Sequence, residues 1–370
     1  MSLISRILNN FYQKGIGRSL RHVDYRVYSL TNFVAMIGLW QQRIAIGWFA
    51  WELTESGFWL GVVAISESLP LILLVAIAGA VTDRVDRLRL LRTLQMIQVS
   101  IAVILTLLTL NNLVNIYLLT VFSFGYGLVQ AFHLPLRMTI APNLVPREDL
   151  TPAIGLNSAF FNTSRFAGPM IAGVIIANFG VGLTLGVGVA AMLVFTIGLR
   201  FIKLARNEQL THNKSGIVQE ILEGIRYVGS HSSIGPLLLL IMITAVFSRS
   251  FMDLFPGFAD QVFGQGPEGL GMLFSAVGAG GIVGAFWLAN YGRTTGLTKV
   301  SFSTLFMTSI LLLIFSVTSN FWVGVVTATL LGVSLAITSN SSQILIQNKV
   351  AGSMRGRVMS LYSLSYTGHD

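Results

Sequence analysis

Residues 79–92 read GAVTDRVDRLRLLR. Arg84, Arg87, Arg89 and Arg92 crowd together here, and apolar stretches flank them at 58–81 and 90–110. A bilayer core about 30 Å thick is crossed by a helix of about 20 apolar residues, so the stretch reads as a charged loop between two spans. Working outward, hydropathy divides residues 27–346 into ten such segments: 27–51, 58–81, 90–110, 115–136, 152–177, 181–203, 233–256, 268–290, 299–318 and 321–346. The cations follow the same division. The N-terminal leader and every second gap carry Lys and Arg, and the gaps between carry none. Of 24 Lys and Arg residues, only Arg43, Arg165 and Arg249 fall inside spans away from the cytoplasmic ends. Basic residues stay on the cytoplasmic side, so the alternation predicts a cytoplasmic N-terminus and cytoplasmic even gaps.

Composition agrees. The 370 residues are 53% hydrophobic and 11% charged, against roughly 25% charged in soluble domains. The net charge of +9 is explained by membrane topology rather than by nucleic acid, because the basic residues are spread over the segments between spans; contact with anionic lipid head groups is a secondary expectation. A chain with no Cys excludes disulfides, thiolate metal sites and cysteine nucleophiles. No short apolar core with a small-residue cleavage site follows the basic leader, so no cleavable signal peptide is expected. Leu3, Ile4, Ile7, Leu8 and Phe11 stand at helical spacing and suggest a surface helix.

The expected organisation is a cytoplasmic leader (1–26), a six-span bundle (27–203), a cytoplasmic linker (204–232) and a second bundle (233–370). In the linker, Ile217, Ile221, Leu222, Ile225 and Val228 share one face, which suits a helix lying on the lipid surface. The two bundles repeat weakly at an offset of about 205 residues: Gly79-Ala80 recurs as Gly284-Ala285, and Asn143, Val145, Leu156 and Ser158 recur as Asn348, Val350, Leu361 and Ser363. Six spans are an even number, so the repeat is parallel, about an axis along the membrane normal. On this repeat, span 11 begins near Arg357 and breaks off in Thr367-Gly368-His369-Asp370. The second bundle is therefore expected to be truncated, with ten full spans and a partial eleventh, and such a chain is expected to insert without gradient-driven flux.

In the opening stretch, Gly79, Asp83, Arg84 and Arg87 match a Gly, three residues, Asp-Arg, two residues, Arg pattern. The chain here resembles the major facilitator superfamily, in which this loop latches the cytoplasmic ends of spans 2 and 11. Asp86 stands where many members have Gly. Gly79 is expected to let a neighbouring helix approach closely. The second copy keeps Gly284 and Arg293 but has Leu288 in place of Asp. Residues 125–173 (GYGLVQAFHLPLRMTIAPNLVPREDLTPAIGLNSAFFNTSRFAGPMIAG) and 40–57 (WQQRIAIGWFAWELTESG) are similar to the branch containing bacterial enterobactin-type siderophore exporters, called transmembrane secretion effectors. Gly168, Pro169 and Gly173 partly match a span-5 element of drug–proton antiporters, with Ser164 where those have Gly. Physically, Pro169 permits a kink and the two glycines permit close packing. The resemblance implies an all-α major facilitator fold and a monomer in the bacterial inner membrane. It also implies a small-molecule substrate, protons as coupling ion, and no cofactor or metal.

Charged groups inside spans usually face a cavity or a partner. Arg43, Glu67, Arg165, Arg249 and Asp253 are these groups. Arg249 and Asp253 are four apart and share a face, which suits a simple pair. Arg43 with Glu67 reads equally as a buried ion pair or as part of a substrate site. Glu67 is the better proton carrier, since burial favours a protonated carboxyl. Arg165 binds a substrate anion or pairs with Glu67, or serves structure alone. His133 and Arg137 lie near the cytoplasmic end of span 4, where Arg137 is expected to snorkel to the surface. Gly278, Gly280, Gly281 and Gly284 read as a packing face. No GxxxxGK[ST] phosphate loop occurs in the sequence, which argues against an ATP motor. Three functions remain open: a proton-coupled exporter of a small organic molecule (siderophore, drug or metabolite), an uptake transporter for an organic anion, or a non-transporting receptor or scaffold left by truncation.

Overall fold

The structure, a computed structural model, describes residues 15–82, 85–203, 226–230, 234–291, 296–350 and 358. Among the described residues all regular structure is helical. A 3-10 helix, Gly15–Arg21, leads into α1 (Val23–Thr54), α2 (Gly57–Thr82), α3 (Arg87–Leu110), α4 (Ile116–Asn143) and α5 (Leu150–Phe201). Then follow α6 (Ile234–Asp253), short helical turns at Phe255–Gly257 and Phe258–Val262, α7 (Gly266–Tyr291), α8 (Leu297–Val317) and α9 (Phe321–Lys349). Among the described residues, counting α5 once, seven helices are long and apolar enough to cross a membrane.

The helix ends follow local chemistry. Glu55 takes a left-handed conformation (φ 46°) and donates its N–H to Trp51 O, which ends α1 and lets α2 begin two residues later. Asp86 accepts the N–H of Arg89 at 2.9 Å and so caps α3. This capping role accounts for an Asp in that turn. α5 has 52 residues and would be about 78 Å long if straight. It breaks at Gly180, with φ 79° and ψ 173°, a conformation that costs glycine little. The break falls there and not at Pro169. Both legs return along the same part of α1: Gly168 lies against Trp40 and Ile37, and Gly188 lies against Gly38 and Gln42.

Apolar side chains cover the outside as well as filling the core, and polar groups are buried among them. Phe58, Phe286 and Val317 are 73%, 70% and 83% exposed, while Gln41, Gln42, Gln95, His133, Ser341 and Ser342 are buried. In lipid the apolar side chains face outward at no cost, and helices associate through small residues and hydrogen bonds. Gly280 and Gly332 pack α7 onto α9; a Cβ at either would overlap the carbonyl of Thr329 or Val277, and one at Gly284 would lie 2.5 Å from Val333 O. Gly281 has no such neighbour. α8 joins α9 through hydroxyl pairs, Ser301 with Ser342 at 2.9 Å and Thr304 with Thr338 at 2.7 Å. Among the described residues, a Cβ at Gly79 meets nothing within 4 Å; span 11, the expected partner of this motif, lies outside them apart from Val358.

At the end of the bundle that carries the cations, Asp149 forms an ion pair with Arg18 Nε at 2.5 Å and pairs with His22 Nε2 at 2.7 Å. Tyr25 donates to Ala153 O at 2.7 Å. Arg92 donates to the carbonyls of Leu199 and Ile202, satisfying the end of α5. The expected leader helix over residues 3–11, the linker face over 217–225, and the fragment of span 11 other than Val358 lie outside the described residues.

Candidate functional site

α4 positions the site. Tyr126, Gln130, His133 and Arg137 stand at i, i+4, i+7 and i+11, which places them on one helical face. From Tyr126 to Arg137 this polar column runs about 16 Å along the axis, half the thickness of the hydrocarbon core. It faces a cavity of about 100 Å³ that Leu39, Trp40, Gln42, Arg43 and Ile46 of α1, Glu67 and Leu71 of α2, and Phe161 of α5 complete. Gln42 donates its Nε2–H to the Tyr126 hydroxyl. Glu67 is held close to the column because Gly127 packs against its backbone carbonyl, leaving no space for a Cβ.

Several sequence-selected residues converge. Glu67 lies within electrostatic reach of both Arg43 and Asp253, and Tyr126 lies within reach of Glu67. A single carboxyl therefore feels groups from α1, α4 and α6. Arg43 and Arg165 meet on one indole: their guanidinium carbons lie 5.4 Å and 5.7 Å from the Trp40 ring centroid, a cation–π arrangement that keeps both charges inside the bundle. Arg165 does not line the cavity itself. Arg249 belongs to α6, and its side chain lies outside the described residues. Asp83 and Arg84 of the loop motif also lie outside them; Arg87 starts α3.

Arg137 is a correction. It does not snorkel to the surface: it lines the cavity, its guanidinium carbon sits 5.9 Å over the Phe195 ring, and its Nε is buried. The position is near the helix end by residue count, but its helical phase matches His133 and Tyr126 and turns it inward. Sequence reasoning missed Tyr126, Gln130, Trp40 and Phe161 as lining residues. The spacing of the α4 column was the available signal.

Nearer the cation-free end, α5 and α7 meet closely. Gly173 of α5 and Gly271 of α7 cross nearly in backbone contact; a Cβ on Gly173 would lie 2.7 Å from Pro267 O and 3.0 Å from the Gly271 Cα. Ser275 Oγ donates to Phe166 O at 2.9 Å, and Gly278 rests on Arg165 and Phe166. Further towards the cation-free end, Trp51 Nε1 donates to Asp260 Oδ2 at 2.9 Å, its ring lies against Gly257, and Gly47 faces Pro256. Phe315, fully buried, touches Phe251, Phe255, Phe258 and Phe263 with ring centroids 5.1–5.7 Å away.

Residues 18–369 match the family model described as transmembrane secretion effector, and the chain belongs to that family of major facilitator superfamily transporters. It is a membrane transport protein, not an enzyme. It is 26% identical to the staphyloferrin A transporter of Staphylococcus aureus over 90% of this chain and 83% of that one. It is 25% identical to the multidrug efflux pump Tap of Mycobacterium tuberculosis over 87% and 79%, and 21% identical to macrolide efflux protein A of Enterococcus faecalis over 66% and 77%. In fold it is similar to the nucleoside transporter NupG, with TM-score 0.73 and 12% identity over 94% of this chain and 88% of that one. A bacterial homologue of the iron transporter ferroportin in its inward-facing state is also similar, with TM-score 0.68 and 15% identity over 93% and 88%.

Proposed function

We propose that this chain is a proton-coupled secondary transporter that exports a small organic molecule by alternating access. The observation that carries the reading is the polar column of α4 in a cavity, with the close α5–α7 contact nearer the cation-free end. Intramembrane polar and charged groups are costly and mark a pathway. The cation-bearing end is cytoplasmic on the positive-inside rule, so the structure corresponds to an inward-facing state in a bacterial inner membrane. The helices up to residue 203 and those from 233 act as two bundles that rock about the cavity, joined by the 204–232 linker. Glu67 is the proton-responsive group, with Arg43 and Asp253 as its electrostatic partners. The loop of Asp83, Arg84 and Arg87 acts as the cytoplasmic latch. Two of the relatives are efflux proteins by name, which favours export over uptake.

The natural absence of Cys makes single-cysteine labelling a clean test. His212→Cys is expected to react with an impermeant maleimide only in everted vesicles, and Gln130→Cys from both faces, because access to the cavity alternates. Labelling of position 212 from outside intact cells would overturn the topology. Labelling of Gln130→Cys from one face only would favour a static receptor or scaffold.

A further inference from the structure

We propose that the cavity selects ligands bearing an oxyanion, such as a carboxylate, and that His133 and Arg137 are the groups that take it; this rests on the transport reading of the same cavity. His133 is 1% exposed and lines the cavity, yet neither ring nitrogen has a hydrogen-bond partner among the described residues. One turn away on the same face, Arg137 also lines the cavity, and its Nε is buried without a partner. Buried donors left unpaired are rare and costly, and are commonly completed by water or a ligand. Guanidinium N–H groups form a planar fork that fits two oxygens of one carboxylate, and a neutral imidazole beside it adds one further N–H. The charge balance points the same way. The cavity lining holds two guanidiniums, Arg43 and Arg137, against one carboxyl, Glu67. Arg43 already lies near Glu67, while Arg137 has the Phe195 ring beside it and the Tyr28 phenol within electrostatic reach, neither of which supplies the negative counter-charge of a carboxylate. A ligand oxyanion bound here completes both unsatisfied groups and offsets the excess positive charge. Trp40 and Phe161, whose rings meet at 6.2 Å, supply an apolar wall for the rest of the molecule.

The test uses two xanthene dyes of similar size and opposite charge, carboxyfluorescein and rhodamine 6G, with binding to the purified protein read by fluorescence anisotropy. The anionic dye is expected to bind more tightly by roughly tenfold or more, the factor for one charge-assisted pair. Arg137→Gln is expected to bring the affinity ratio near one, Arg137→Lys to preserve part of it, and His133→Gln to reduce it; thermal melting checks that each variant is folded. Equal or cation-preferring binding by the parent protein, no binding of either dye, or an unchanged ratio in folded Arg137→Gln would overturn the proposal. Displacement of bound carboxyfluorescein by stoichiometric phosphatidylglycerol would assign the site to a lipid head group instead of a substrate, and so overturn it as a substrate site. Failure of this proposal is distinct from failure of the transport reading: cation-selective binding with gradient-driven flux refutes only the former, and anion-selective binding without flux refutes only the latter.

Discussion

Glu67→Gln is expected to leave the protein folded and to remove the response of substrate flux to a pH gradient. Among the described residues Glu67 is the one acid that lines the cavity. It interacts electrostatically with Arg43 on α1 and Asp253 on α6, which belong to the two proposed bundles. Taking up or releasing a proton changes the charge at this point by one, inside a medium where charges interact strongly, and so biases how the bundles meet. Glutamine keeps the shape and the hydrogen-bonding capacity of the protonated form but cannot ionise. One pKa unit of differential interaction corresponds to about tenfold, so flux driven by a unit pH gradient is expected to fall by at least about that factor in the variant. Ligand binding survives, because the oxyanion groups lie elsewhere on α4. The measurement is initial flux with and without the gradient, at matched reconstitution. Persisting gradient dependence would make Glu67 structural and Asp253 the next candidate.

Gly173→Val is expected to open the cation-free end. A valine side chain here has the Pro267 carbonyl and the Gly271 backbone in its way, and neither can move without separating α5 from α7. Overpacking of this kind costs about 1–3 kcal/mol, which shifts a two-state equilibrium roughly five- to a hundredfold. The state open at the cation-free end lacks this contact and does not bear the cost, so folding is preserved while the population moves. Gly47→Cys reports the shift, since a side chain there has room, with Pro256 at 3.9 Å. Labelling of that cysteine from outside is expected to accelerate in Gly173→Val and in Gly271→Val. Gly281→Val, which meets nothing within 4 Å, is the control. Unchanged labelling in folded Gly173→Val would show that the α5–α7 crossing does not gate the cavity.

The helices were legible because lipid imposes a simple rule, that a span is apolar and a loop on one side is basic. Hydropathy ends one span at 177 and starts the next at 181, either side of the break at Gly180. The site was less legible. Glu67, Arg43 and Asp253 were recognisable singly, since charge inside an apolar span is conspicuous. Tyr126 and Gln130 carry no charge, and only their phase with His133 and Arg137 reveals them. Arg137 was misread for the same reason, its distance from the helix end having been weighed above its phase. Gly173 and Gly271 are nearly a hundred residues apart, and nothing local in either segment announces that they meet.

The account stands most directly on whether the protein moves a solute against its gradient. Everted vesicles or proteoliposomes containing the chain, given an acidic lumen and an external panel of organic anions and cations, would measure this. Against the sequence-based expectation of no gradient-driven flux, accumulation of at least one organic anion in the lumen is expected, abolished by a protonophore and by Glu67→Gln. Retained ligand binding with no gradient-dependent movement of any compound would contradict it, and would return the chain to the receptor or scaffold reading.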